Sequence, residues 1–159
     1  MKNLAKSLKL SLEKFFSWFS LVILSAMLLI TITQIFLRNL FGINLTIAGE
    51  IARQGVIWLT FTGGILTTLA EKHIAIDIMP RFLKGKVQKI LLILTNFTAV
   101  MITGFLAYFS VNFLKFEIEF ASKIADQFPA WTFQIIIPIG FTFIALAFLL
   151  NIFDEKETP

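Results

Sequence analysis

Four apolar stretches, about residues 17–37, 51–70, 87–114 and 130–153, constrain this chain more than any other feature. About 20 mainly apolar residues in a helix cross the ~30 Å hydrocarbon core of a bilayer, and each stretch is long enough. Each is too long for a barrel strand, which needs about 9–11 residues of alternating polarity. Without water in the bilayer core, a helix is the segment that satisfies its own backbone. The pattern predicts an all-α integral membrane protein with four transmembrane helices in a single membrane domain over 1–159. Composition points the same way: 57% of the residues are hydrophobic and 15% charged, against about 45–50% apolar and ~25% charged in a soluble domain.

Several chemistries are excluded at once. The chain has no cysteine, so disulfides, iron–sulfur clusters and cysteine-ligated metals are ruled out. Its single histidine cannot make a bis-histidine haem within one chain. A membrane enzyme or redox subunit is therefore disfavoured, and neither cofactor nor metal is expected. The net charge of +4 does not argue for nucleic acid, because the basic residues sit at span ends and act as topology signals. Lys2, Lys6, Lys9 and Lys14 before the first span, and Lys72, Arg81, Lys84, Lys86 and Lys89 between the second and third, mark both segments as cytoplasmic. The other two connections carry Arg38 and Arg53, and Lys115 and Lys123 against Glu117, Glu119 and Asp126, and face outward. An even number of spans returns the acidic tail Asp154-Glu155-Lys156-Glu157 to the cytoplasm, giving N-in and C-in.

The basic start is read as an anchor, since the first apolar stretch exceeds a signal peptide's core of about 7–15 residues and ends at Arg38 without a small-x-small site. At 100° per residue, Leu4, Leu8, Leu12, Phe15 and Phe19 fall on one side of residues 1–16 and the adjoining turn, with Lys2, Lys6, Lys9 and Glu13 opposite. That predicts an amphipathic helix lying on the anionic inner leaflet; a short solvated tail is the plainer alternative. No repeat, low-complexity stretch or second domain is evident.

Polar residues within spans are costly and stand out. Glu50 and Arg53, spaced i, i+3 at the outer start of the second span, lie near Arg38; they suit a helix-end salt bridge or a docking contact with another subunit. Gly63 and Gly64, with Thr60, Thr67 and Thr68, allow close helix approach, either within the chain or to a partner. Asn96, deep in the third span, is expected to face protein through an interhelical hydrogen bond. His73 and Asp77, at i, i+4, suit anchoring at the cytoplasmic interface or a functional contact, but are too few ligands for zinc. Pro138, with Gly140 just after it, should kink the fourth span, which a bilayer tolerates when neighbours satisfy the freed carbonyl.

The order Gln34-x-x-x-Arg38, Glu50 before Trp58, Gly63-Gly64, Glu71-Lys72-His73-Ile-Ala-Ile-Asp77, Ser122, Pro129 and Ile137-Pro138-Ile-Gly140 resembles the small, Q-type membrane subunit of tripartite ATP-independent periplasmic (TRAP) transporters. The resemblance covers nearly the whole chain, and the His-x-x-x-Asp junction after a glycine-bearing span is its most discriminating part. Lys123-Ile-Ala-Asp126-Gln, before Pro129, is more polar than the family pattern. What the resemblance implies is a scaffold role in the bacterial inner membrane. A periplasmic binding protein would capture an organic acid, and a large elevator-type subunit would move it with a sodium gradient. The small subunit would clamp that large subunit and touch the binding protein transiently. A self-sufficient small four-helix transporter working as a homodimer is the alternative; it normally needs an ionisable residue within a span, and 17–37 has none.

Overall fold

The structure, a computed structural model, describes residues 2–43, 46–70, 86–124 and 127–153. Its elements are α1 (Lys2–Phe41), α2 (Thr46–Leu69), α3 (Lys86–Phe120), a short antiparallel pair β1 (Lys123–Ile124) and β2 (Phe128–Pro129), α4 (Ala130–Gln134) and α5 (Ile136–Phe153). The helices overrun the apolar stretches because backbone hydrogen bonding continues into polar residues after hydropathy has fallen. α1, with 40 residues, is about 60 Å long, twice the hydrocarbon thickness. It ends where Gly42 takes φ +65°, a left-handed conformation glycine adopts without a Cβ clash, and the Ile43 amide turns back to the Leu37 carbonyl at 3.3 Å.

Residues 16 and 17 show no backbone break, so the expected surface helix and first span form one continuous helix. The packed face also differs from the expected apolar one. Leu8 and Phe15 are exposed, while Lys9 and Phe16 are buried and Leu12 packs on the core. The stripe that meets α2 and α5 follows α1's register against those helices, and the apolar residues left over face outward.

Among the described residues three segments, Ser7–Phe41, Ile90–Phe120 and Ala130–Ile152, are long and apolar enough to cross a membrane. α2, with 24 residues, has the length, about 36 Å, but Glu50, Arg53, Gln54 and its glycines and threonines make it less apolar than these three.

The helices lie in an open row. α1 packs along α2, α2 along α5 and α5 along α3, with a minor contact between α1 and α5. Among the described residues, neither α1 nor α2 makes a substantial contact with α3. α1 runs antiparallel to α2, since Phe19 meets Trp58 near one end and Gln34 meets Gly49 near the other. α2 runs parallel to α5, with Phe61 against Phe141 and Asn151 reaching Thr68 one end further on. Phe16, Ile65, Leu69, Ala147 and Leu150 form the core where α1, α2 and α5 converge, and the Phe16 and Phe143 rings meet edge to face at 5.1 Å.

Close approach of α2 and α5 depends on glycine. A Cβ at Gly140 would lie 2.6 Å from Cγ and 2.8 Å from Cβ of Phe61, and one at Gly64 would press on Ile144 at 3.3 Å. At Gly104 on α3 a Cβ would meet nothing within 4 Å. Gly140→Ala is expected to destabilise the protein by about 1–3 kcal/mol through overpacking. Gly104→Ala should be neutral or stabilising by up to about 1 kcal/mol through helix propensity. Thermal unfolding of both variants in the same detergent checks the contrast.

Candidate functional site

Two side-chain hydrogen bonds tie the middle and the C-terminal end of α2 to the α4–α5 segment. At the first, Pro138 lacks an amide hydrogen and its ring crowds the carbonyl of Gln134, so the helix is interrupted at Ile135 between α4 and α5. The Trp58 indole Nε1–H donates to the neighbouring carbonyl of Phe133 at 2.9 Å, supplying a donor beside the break in a medium that offers no water. The Trp58 ring also rests on Phe19 of α1, with centroids 6.0 Å apart. Gln54 and Gln134, close to this contact in sequence, each keep a buried Oε1 without a hydrogen-bond partner among the described residues.

At the second tie, Asn151 Nδ2 donates to the Thr68 carbonyl at 2.7 Å. Thr68 lies in the last turn of α2, where carbonyls run short of intrahelical donors, so Asn151 caps α2 from α5. Asn151 Oδ1 is buried and has no hydrogen-bond partner among the described residues. Asn151 was not singled out from sequence, although a lone amide near the end of an apolar run was the available signal. Phe61, the contact of Gly140, and Met27, whose Sδ would sit 2.7 Å from a Cβ at Gly55, gave no such signal.

The sequence-derived candidates separate into distinct positions. Gln34 is half-buried against Gly49, 3.4 Å from where a Cβ would lie. Arg38 and Arg53 are exposed and Glu50 is half-buried, and among the described residues no ion pair joins them. The helix-end salt bridge, one of the two readings of Glu50 and Arg53, is not seen among the described residues. The glycine pair divides: Gly64 packs on Ile144, whereas a Cβ at Gly63 would meet nothing within 4 Å. The Ser122 carbonyl accepts the Ala130 amide at 2.9 Å, which with the β1–β2 pair closes the turn into α4. Pro138 is buried. His73 and Asp77 lie outside the described residues. Asn96 faces protein, as expected, at 4% exposure, but makes no hydrogen bond among the described residues.

Nothing in this arrangement resembles a reaction centre. Among the described residues no group of three or more His, Cys, Asp or Glu is placed to hold a metal. Most described threonine hydroxyls bond back to their own helix, as Thr62 does to the Trp58 carbonyl at 2.9 Å and Thr142 to the Pro138 carbonyl at 2.7 Å. The residues tie helices together; they do not converge on a substrate. If Trp58 serves the break made by Pro138, Trp58→Phe should cost about 0.5–1.5 kcal/mol. That cost should shrink in a Pro138→Ala background, a coupling that thermal unfolding of the double-mutant cycle measures.

A family model described as "Tripartite ATP-independent periplasmic transporters, DctQ component" matches residues 27–157. No curated protein and no solved structure matches the chain.

Proposed function

The chain belongs to the DctQ component family of the tripartite ATP-independent periplasmic transporters, and on that premise we propose that it is the scaffold of such a transporter. It is a small membrane component of a transport system, a class that is not enzymatic. In the proposed role it anchors a large elevator-type subunit in the bacterial inner membrane. That subunit imports an organic acid with a sodium gradient, receiving it from a periplasmic binding protein. The chain itself carries no substrate.

The observation that carries this reading is the open row of helices. An elevator needs a part that stays still while another moves, and a broad apolar surface in the bilayer resists tilting. Here no residue of the most apolar 18-residue window of α1 is fully buried, and almost none of that of α3, so both flanks of the row offer much of their surface to lipid or to a partner. α2 is proposed as a fourth crossing, because it lies alongside α1 and α5 and its length of about 36 Å is sufficient. With N- and C-termini cytoplasmic, the exposed Lys14 adds grip at the inner interface.

Mild-detergent purification of the tagged chain from its native membrane is expected to recover one large multi-span protein in equal amount. In proteoliposomes, sodium-dependent uptake should need both membrane subunits and the binding protein. Recovery of the chain alone, with uptake by it alone, would overturn the scaffold reading in favour of an independent small transporter. Charge reversal at Arg38 or Glu50 is expected to lower recovery of the large subunit while leaving the apparent affinity of assembled complexes unchanged.

A further inference from the structure

We propose that Lys9 locks the end of the row at which α2 and α5 finish: its ammonium caps their C-termini and holds the first turns of α1 against protein instead of on a lipid surface. Among the described residues Lys9 is the one charged side chain that is buried, at 9% exposure, whereas Lys14 on the same helix is exposed. Lys9 precedes Leu12 by three residues and Phe16 by seven, so the three share one side of α1. Leu12 packs on the core that Phe16 builds with Leu69, near the end of α2, and with Leu150 of α5. α1 runs antiparallel to α5, and Phe16 meets Phe143. Seven residues from each, about 10 Å along the axes, Lys9 comes level with Leu150 and Asn151, beside the last turns of α2 and α5.

That end concentrates negative potential. Because α2 and α5 are parallel, the partial charges of their C-termini fall side by side and do not cancel. Neither helix has a basic residue in its own last turn, the usual local means of meeting those carbonyls. Asn151, at 7% exposure, donates through Nδ2 to the Thr68 carbonyl at 2.7 Å, and its Oδ1 stays buried with no hydrogen-bond partner among the described residues. A lysine ammonium carries a full positive charge and three donors. Buried, it persists only where oxygens or opposite charge meet it. Lys9 and this end therefore supply what each other lacks. Since α1 is continuous through residues 16 and 17, fixing Lys9 fixes the direction of the whole segment before the first apolar stretch. The lock belongs to the chain alone and does not depend on the scaffold role.

Amide hydrogen exchange of the full chain in phosphatidylcholine nanodiscs tests the lock. The amides of residues 6–12 report on it, since those of the first four residues of α1 have no intrahelical acceptor. Lys9→Met keeps the aliphatic stem and removes the charge; it is expected to lower their protection about tenfold. A smaller fall is expected in the last turns of α2 and α5, and none in α3. Lys9→Arg should retain most of the protection, and Lys14→Met should leave it unchanged. Adding phosphatidylglycerol to the nanodiscs should alter none of these differences. Full protection of residues 6–12 in Lys9→Met would overturn the inference. An effect of Lys9→Met confined to nanodiscs with phosphatidylglycerol would also overturn it, because anionic lipid would then hold the segment. So would an equal fall across α3, which would mean a general loss of packing.

Discussion

Contact of Gly140 with the Phe61 ring fixes how closely α2 and α5 approach, and the remaining helices are arranged around that pair. Dispersion falls steeply with distance, so a single missing Cβ decides whether two helices interlock or merely lie side by side. With α2 and α5 close and parallel, Trp58 can reach Phe133 at one end and Asn151 can reach Thr68 at the other. α1 fills the corner between them through Phe16, and α3 lies on the far side of α5. α5 is accordingly the most enclosed of the apolar segments, with 33% of its stretch buried.

The bilayer as solvent explains the treatment of polar groups. A hydroxyl in hydrocarbon needs an acceptor, and the carbonyl three or four residues earlier in its own helix is always within reach. Thr31, Thr95 and Thr98 use that acceptor on exposed faces, so they are compatible with lipid contact and need no partner helix. Carbonyls left without a donor near helix ends and breaks have no such local remedy. The Thr68 carbonyl in the last turn of α2 and the Phe133 carbonyl beside the break each accept from a side chain of another helix, which makes each a tertiary tie.

An open row suits a component that works as part of an assembly. A self-sufficient transporter has to surround its path, whereas these helices present two broad sides. α2 differs from its neighbours in polarity and exposes fewer large hydrophobic residues. The family membership and the shape of the row thus lead to the same kind of role by separate routes.

Composition and periodicity alone determined that the chain is helical and membrane-embedded, because the length of an apolar run against the bilayer thickness leaves few other structures. The interruption near Pro138 was legible for a similar reason: a missing amide hydrogen acts locally, whatever surrounds it. The motif order was enough to indicate the family. Only the tertiary structure decided which helices are neighbours, that Gly64 is packed while Gly63 is open, and that Lys9 lies inward while Leu8 and Phe15 face out. It also decided that Asn151 on α5 reaches the Thr68 carbonyl of α2. Each of these depends on the rotation of one helix about its axis relative to another. That rotation is set by the summed fit of many side chains, so no single residue or short motif encodes it.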